Sequence, residues 1–421
     1  MAKRGEGEPV VLINARIFDG ESRALTDGQN VYLNAGRIAA VSDRPPTPDD
    51  GEIIDCGGRT LMPGMIDAHI HAIAFSPNVY QVTDAPMSLR SVWATRMLGR
   101  MLDRGFTTVR DTGGADYGLA IALEQGWCTG PRLYYCGFAI SETGGHGDLR
   151  NPQSHRHGDD EMLACGCGHF NAIGIVVDGV DGVRRVVREN LRRGSNFVKF
   201  MASGGVASTG DRFDSIQFSD DEVRAIVDEV ERHEAYCTAH AHPDRAINRA
   251  LRLGVHCIEH GTLIAPDTAR LAADRNAAVV PTLAAGHAMA LEGQSLGLPP
   301  QSLEKLGRIA DQAMAALENL KSAGVRVGFG TDLLGDMERH QCVEFALRAP
   351  VFSAYELLVQ ATSMNAEIIG AKGDLGVVKA GALADLLIVD GDPLADIGVL
   401  AQDGAKLAAI LQNGVFHKRT I

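Results

Sequence analysis

The sequence predicts an α/β protein, namely a (β/α)8 TIM barrel with a small β-sandwich domain built from both chain termini. Strand-like and helix-like segments alternate over residues 62–372, a pattern that gives a parallel sheet with crossover helices. Short strand-like runs separated by turn residues occupy residues 1–61 and 373–421. Because neither end has enough strands to bury a core alone, we predict that the two ends form one small β domain beside the barrel.

The predicted barrel strands number eight, which over about 300 residues fits a (β/α)8 barrel with insertions. These strands are 64–71, 107–112, 132–140, 197–203, 236–242, 257–261, 277–283 and 326–332. The clearest helix is predicted at 219–234, where Ser219 and Glu222 have the spacing of a capping box ahead of an apolar stripe.

Composition limits the classes of partner. The chain has 421 residues, of which 45% are hydrophobic and 22% charged, as in ordinary globular proteins. Its net charge of −13 argues against a nucleic-acid partner, which needs a basic surface. The sequence shows neither the apolar core of a signal peptide nor a run near the ~18 apolar residues of a membrane span. With scattered cysteines that suit a reducing compartment, we expect a cytoplasmic protein without a membrane partner.

The longest predicted loop covers residues 142–174 and contains His146 shortly after a Gly-Gly pair. Loops of this length are usually lids or binding loops, or else disordered. Inside it, two His and Cys pairs resemble a zinc cluster, but their spacing is not that of a zinc site, and we predict no structural metal there. A second variable stretch, 284–302, contains His287 in another predicted loop.

Metal-capable side chains stand at or near the carboxyl ends of five predicted strands, where the active sites of such barrels form. They are His69 and His71, Lys199, His240 and His242, His260, and Asp332. Alternate residues of a strand share a face, so His69 and His71 point together. A His-x-His pair alone is weak evidence, because such pairs also occur by chance or on surfaces. Metal-capable side chains at the ends of five strands, taken together, predict a site for two divalent ions.

Lys199 is unexpected among metal ligands, because a lysine ammonium repels cations. It becomes a ligand if its pKa falls and its amine reacts with carbon dioxide, giving a carbamate whose two oxygens can bridge two ions. Two other interpretations are an edge-strand lysine that extends to solvent and a lysine that forms a Schiff base. The histidines favour the carbamate, since charges inside a barrel need partners.

Taken together, these motifs resemble the amidohydrolase superfamily. They are His69-Ile70-His71 after Pro63-Gly64-Met65-Ile66-Asp67, Lys199 before Ala202-Ser203-Gly204-Gly205, His240, Glu259-His260-Gly261 and Gly330-Thr331-Asp332. Thr143-Gly144-Gly145-His146 and the segment 329–335 are similar to the imidazolonepropionase-like branch, which contains binuclear zinc Xaa-Pro dipeptidases (prolidases) and related carboxypeptidases.

The resemblance implies a metal centre and its ligands. It places His69, His71 and Asp332 on one Zn²⁺ and His240 and His260 on the other, with carbamylated Lys199 and a hydroxide between the ions. Other divalent metals are compatible with the same ligands. Asp332 would also carry the proton, and His146 would assist the substrate carbonyl. The resemblance further implies a homo-oligomer, for which an octamer is one arrangement.

This sequence departs from the branch at His242, where relatives often carry tyrosine. The position is expected to meet the substrate, so we predict a catalytic and substrate-binding role for His242. His287 is a further candidate substrate-binding residue, with a solvated loop histidine as the alternative.

The resemblance implies a hydrolase in which metal-bound hydroxide attacks a small amide, most simply an Xaa-Pro dipeptide or an N-acyl amino acid. Alternative substrates are a cyclic amide, an aryl amide or an amide-linked toxin such as ochratoxin. Deamination fits less well, because deaminases of this superfamily usually hold one metal and lack the lysine carbamate. A non-catalytic, self-assembling relative belongs to a different class, and the complete ligand set argues against it.

Overall fold

The computed structural model describes residues 8–150, 171–307 and 312–421. The strands are β1 Val10–Ile13, β2 Arg16–Ile17, β3 Asn30–Asn34, β4 Arg37–Ser42, β5 Glu52–Asp55, β6 Thr60–Pro63, β7 Met65–Ile70, β8 Phe106–Asp111, β9 Arg132–Tyr135, β10 Ala139–Ser141, β11 Gly174–Val176, β12 Val198–Met201, β13 Cys237–Pro243, β14 Cys257–Leu263, β15 Ala278–Val280, β16 Arg326–Val327, β17 Leu386–Val389, β18 Leu407–Gln412 and β19 Val415–Arg419.

The α-helices in these ranges are α1 Val79–Asp84, α2 Met87–Asp103, α3 Tyr117–Glu124, α4 Val180–Arg192, α5 Asp220–Arg232, α6 Asp244–Arg252, α7 Pro266–Asp274, α8 Leu283–Glu292, α9 Pro300–Gly307, α10 Ala313–Ser322, α11 Val343–Arg348, α12 Ala354–Val359 and α13 Asn365–Ile368. Within the described residues, no helix is long and apolar enough to cross a membrane. Most of the predicted long loop, residues 151–170 with its His and Cys pairs, lies outside the described residues.

Parallel strands form the central part of the chain, which confirms the predicted α/β class. One sheet has seven strands in the order β11-β10-β12-β13-β14-β15-β16, and a second has three in the order β7-β8-β9. Separate backbone hydrogen bonds join the two sheets. On one side the amide of Asp332 donates to the His69 carbonyl at 2.8 Å, and on the other Asn196 donates to the Tyr135 carbonyl at 2.9 Å. The strands therefore form two ladders, and the closed (β/α)8 barrel that was predicted is not continuous in the structure.

Two predicted strands differ from the structure at the places where these ladders end. The single strand predicted at 132–140 is wrong: it is divided into β9, which pairs with β8, and β10, which pairs with β11 and β12. Between them Gly137 has a φ of +73°, a left-handed conformation that interrupts a strand. The strand predicted at 326–332 pairs only over β16, because the carbonyl of Phe329 accepts a hydrogen bond from β7 at Ala68 instead.

Both chain ends meet in one sheet, as predicted. Its strand order is β19-β18-β17-β6-β2, and β6 pairs antiparallel with β17 from Thr60 opposite Val389 to Pro63 opposite Leu386. A four-stranded sheet, β4-β3-β1-β5, shares one apolar cluster with it, which includes Leu12. The arrangement of these sheets as a β-sandwich and the domain boundaries at 61–62 and 372–373 stay predictions.

Helix α5 shows how the local sequence determines where a helix begins and which of its faces is buried. The Ser219 hydroxyl accepts from the Glu222 amide at 3.4 Å, and the Glu222 carboxylate accepts from the Ser219 amide at 2.7 Å, which confirms the predicted capping box. The apolar stripe from Val223 to Val230 is buried. The helix thus begins at a defined residue and covers the strands that carry the candidate site.

Candidate metal centre

All the predicted site residues line one cavity of about 430 Å³ in the structure. They are His69, His71, His146, Lys199, His240, His242, His260, His287 and Asp332. Parallel strands bring them together, because the carboxyl ends of such strands meet at one edge. His287 lies within α8 and not in a loop as predicted; the alanine-rich sequence around it favours a helix despite Gly286. The roles of these residues stay predictions.

The first ligand group consists of His69, His71 and Asp332. The Nε2 atoms of both histidines lie 3.4 Å from Asp332 Oδ1. Their Nδ1 atoms are occupied: His69 donates to Glu259 at 2.7 Å and His71 to the Gly113 carbonyl at 2.9 Å. Each Nε2 therefore keeps its lone pair, and hydrogen bonding of the other ring nitrogen is the usual support of a metal-binding histidine.

The second group consists of His240, His242 and His260, whose ligand atoms lie within 4.8 Å of one another. His240 donates through Nε2 to the Gly204 carbonyl at 3.3 Å, so that Nδ1 keeps the lone pair. His260 also lies within 4.8 Å of the ligand atoms of His69 and Asp332. The two groups therefore adjoin one another at His260.

Burial sets the protonation of most of these ligands. It lowers the pKa of His71 to about 4 and the pKa values of His240 and His260 well below the ordinary value, with neighbouring histidines adding to the effect. Burial also lowers the pKa of His69, but the Asp332 and Glu259 carboxylates together outweigh it, so that the net pKa is raised. Neutral imidazole is the form that binds metals, so His71, His240 and His260 are ready to act as ligands near neutral pH.

Lys199 is only 1% exposed and lies on β12, between β10 and β13, which excludes the edge-strand interpretation. Burial lowers the pKa of its amine. Within the described ranges, its Nζ makes no hydrogen bond or ion pair, although it lines the cavity with the histidines. A buried amine without a partner is costly as a cation. The donor set of imidazoles, one carboxylate and this amine fits divalent ions such as Zn²⁺.

Two site residues have left-handed backbone conformations, with φ of +70° at His260 and +53° at Asp332. Such conformations cost about 1–3 kcal/mol each and persist where the surrounding structure enforces them. The Asp332 amide is held by its hydrogen bond to the His69 carbonyl. The fold therefore aims the Asp332 carboxylate at His69 and His71 at the expense of local strain.

Comparison with known proteins identifies the family to which this chain belongs. Residues 60–412 match the Amidohydrolase family. The chain is a member of the amidohydrolase family. A crystal structure of a prolidase complexed with N-methylphosphonate-L-proline is 43% identical, with a TM-score of 0.93 over 98% of this chain and 100% of the other. A crystal structure of an amidohydrolase is 42% identical, with a TM-score of 0.94 over 98% and 99% of the two chains. Ochratoxinase of Aspergillus niger is 30% identical over 82% of this chain and 73% of its own.

Sequence reasoning assigned no role to two buried charges of this amidohydrolase, Glu259 and Arg110. The Glu259 carboxylate accepts hydrogen bonds from His69, from Arg110 Nη2 at 2.6 Å and from Thr238. Arg110 also donates from Nε to the Ala68 carbonyl at 2.6 Å. Both side chains are fully buried. The pair therefore fixes the imidazole ring of His69 and the backbone of β7 at Ala68. The presence of each charged residue within a predicted strand was the available signal.

Replacing Glu259 by Gln is expected to lower the free energy of unfolding by about 3–5 kcal/mol, because it leaves the buried Arg110 guanidinium without a countercharge. Denaturant unfolding of the two proteins measures the difference. Glu367→Gln is the matched control, since Glu367 pairs with Arg326 and Lys372 near the surface and such pairs contribute about 0–1 kcal/mol. Equal losses in the two variants would contradict a supporting role for Glu259.

His146 is held in place by the loop that contains Ser208 and Asp211. These contacts were not predicted from the sequence. Its Nδ1 lies 2.7 Å from the Ser208 hydroxyl and 3.4 Å from Asp211 Oδ2, and its ring stacks on His240 with centroids 4.3 Å apart. A Cβ at Gly205 would lie 2.4 Å from His146 Cε1 and 2.7 Å from His240 Nε2. Glycine is therefore needed at this position for the two rings to stack.

Lys305 of α9 connects this loop to a helix that lines the cavity. Its ammonium contacts Asp211 Oδ1 at 3.0 Å and the carbonyls of Gly205 and Ser208 at 2.9 and 2.8 Å. Burial raises the pKa of Asp211, but its interactions with His146, the Ser208 hydroxyl and the Lys305 ammonium together outweigh that effect and lower the pKa. Asp211 therefore stays ionised and orients His146.

Apolar side chains from three helices also line the cavity in this amidohydrolase. Helices α8, α9 and α10 supply this surface, which we call the apolar wall and which consists of Met289, Leu306, Met314, Leu317 and Leu320. Among the described lining residues, the charged side chains are Lys199 and Asp332. The cavity thus offers both imidazole groups and an apolar surface to a bound molecule.

Proposed function

We propose that this protein is a binuclear metal-dependent amidohydrolase that cleaves the amide bond of Xaa-Pro dipeptides or N-acyl amino acids. The observation that carries the proposal is the buried Lys199 amine, which makes no hydrogen bond or ion pair among the described residues and lines the same cavity as two adjoining groups of candidate ligands. We also interpret the two parallel sheets as one (β/α)8 barrel whose strands three and eight are interrupted. The resemblance supports a homo-oligomer.

The proposed ligands are His69, His71 and Asp332 for one ion and His240 and His260 for the other. Lys199 would bridge the ions as a carbamate, formed when its neutral amine adds to carbon dioxide and releases a proton. The carbamate replaces a buried amine with a bidentate anion, which suits a site for two cations. Zn²⁺ is the proposed metal, and other divalent ions suit the same donors.

Divalent ions in such a site polarise the amide carbonyl and lower the pKa of a bound water. Asp332 would accept the proton of the attacking water and pass it to the leaving nitrogen, as a general base and then a general acid. Its carboxylate lies between the Nε2 atoms of His69 and His71. His146, with Nδ1 held by Ser208 and Asp211, would present Nε2 to the carbonyl oxygen.

The substrate assignment rests on the likeness to the prolidase complexed with N-methylphosphonate-L-proline. A second candidate is an amide-linked toxin of the ochratoxin type. Two observations favour it: the likeness to ochratoxinase and the apolar wall, which offers room for a bulky apolar group. His287 would contact the substrate in either case.

Metal analysis combined with a substrate panel tests the proposal. The purified protein is analysed for metal and assayed, with zinc and after chelation, against Xaa-Pro dipeptides, N-acyl amino acids and ochratoxin A. We expect two ions per chain, hydrolysis of at least one amide class, loss of activity on chelation and its return with zinc. A protein that binds no divalent ion and cleaves none of these amides would instead support the non-catalytic, self-assembling alternative.

His146→Ala is expected to lower kcat by about 10²-fold with a smaller change in KM, because it removes one donor to the developing oxyanion. Steady-state kinetics on the best substrate of the panel measures both constants. His233→Ala serves as the control, since His233 is an exposed residue at the end of α5. Normal turnover in the His146 variant would remove this residue from the site.

A further inference from the structure

His242 occupies the same face of β13 as the proposed ligand His240. The two residues are separated by one position in an extended strand, so both side chains point into the cavity. Both are buried, with exposures of 4% for His240 and 6% for His242. Their ring centroids lie 4.7 Å apart, and His260 lies at 4.6 and 4.7 Å from His240 and His242. The three imidazoles form one compact triangle.

The hydrogen bonds of His242 repeat those of His260. His242 Nδ1 lies 2.9 Å from the Thr262 hydroxyl, and His260 Nδ1 lies 2.8 Å from the Thr282 hydroxyl. In each case the threonine comes from the next parallel strand or the segment that follows it. The two rings are nearly parallel, at 15°. Both histidines are thus fixed through Nδ1 and keep Nε2 for the cavity, the support that metal-binding histidines usually have.

We propose that His242 is a third imidazole ligand of the ion that His240 and His260 hold, an inference that rests on the proposed function. The ligand atoms of the three residues already lie within 4.8 Å of one another. Nitrogens around a tetrahedral zinc ion are separated by about 3.3 Å, given Zn–N bonds of about 2.0–2.1 Å, so the triangle needs to contract only modestly. The site would take a divalent ion that prefers nitrogen, such as Zn²⁺ or Co²⁺.

A tyrosine, which the resemblance leads one to expect at this position, would not supply the same ligand. A phenol has an ordinary pKa near 10 and is neutral at pH 7, whereas an imidazole offers a neutral nitrogen lone pair. This chain would therefore bind its second ion with one more strong donor than relatives that carry tyrosine. The added donor would occupy a coordination position that is otherwise open.

Competition titration of the metal-free protein with a chromophoric chelator tests this assignment. Wild type, His242→Tyr and His242→Gln are titrated with Zn²⁺, and their Co²⁺ forms are compared by visible absorption. His287→Gln is the matched control, because His287 lines the same cavity but belongs to neither ligand group. We expect two ions per wild-type chain, unchanged affinity for the first ion, and affinity for the second reduced at least about 10-fold in both His242 variants. The cobalt spectrum should change in these variants and not in the control.

The other outcomes separate the inference from the proposed function. If both His242 variants keep two ions with wild-type affinity and spectrum while their preference among amides changes, His242 is a substrate contact. That result overturns the inference and leaves the proposed function intact. If the wild type binds no divalent ion, the proposed function fails as well. The tyrosine variant carries the residue of the relatives and retains an aromatic ring, so it decides the question should the glutamine variant fail to fold.

Discussion

Lys199→Ala is expected to lower turnover by at least roughly 10²-fold and to leave less than two ions per chain. Without the amine no carbamate forms, so the two ions lose the anion between them and the electrostatic stabilisation that depends on it. Metal analysis and steady-state kinetics of the same preparation measure the two effects. Because the variant also loses the buried aliphatic stem of the lysine, which leaves a cavity, thermal unfolding of the same preparation verifies that the protein is still folded.

Rescue distinguishes the carbamate from other roles of Lys199. Acetate or propionate should restore part of the activity and of the metal content of Lys199→Ala, because a small carboxylate can occupy the space of the carbamate. Lys372→Ala is the control, since the Lys372 side chain is 73% exposed, and its metal content and turnover should match the wild type. Unchanged metal content and turnover in Lys199→Ala would rule out the carbamate.

Asp332→Asn should lower kcat by roughly 10²-fold or more while KM changes less. The amide retains the shape of the side chain and one oxygen that can ligate, but it cannot take up the proton of the attacking water. Kinetics normalised to bound metal separate this loss from any loss of the ion. Asp336→Asn, at an exposed position four residues later, is the control. Near-native turnover in Asp332→Asn would mean that another group carries the proton.

The sequence was sufficient to predict the convergence of the site residues because that convergence follows from chain geometry. Residues two apart in a strand share a face, and parallel strands end at one edge, so His69, His71 and His240 could be placed together before any contact was known. The interruptions of strands three and eight could not be predicted. They depend on the conformation at Gly137 and on the Phe329 carbonyl, which bonds to a strand more than 250 residues earlier in the chain.

The residues that support the site through hydrogen bonds and ion pairs were not predicted from the sequence, for a similar reason. Glu259 contacts His69 across 190 positions of sequence and Arg110 across 149, and no local pattern joins them. Glu259 belongs to a motif that was recognised because of His260. Its own role, which is to accept a hydrogen bond from the His69 ring, appears only in the folded structure. Asp211 and Lys305 are likewise separated by 94 positions. Charged residues in buried positions are recognisable from sequence, whereas their partners are not.

The contact of Lys305 with Asp211 is expected to make the reaction rate depend on the size of the substrate. Lys305 belongs to α9, which contributes Leu306 to the apolar wall, and Asp211 orients His146. A substrate group large enough to push α9 outward is therefore expected to draw the loop and His146 away from the carbonyl. Oversized amides would then be rejected through a lower kcat and not only through weaker binding, so that α9 would limit the size of the substrates that this protein turns over.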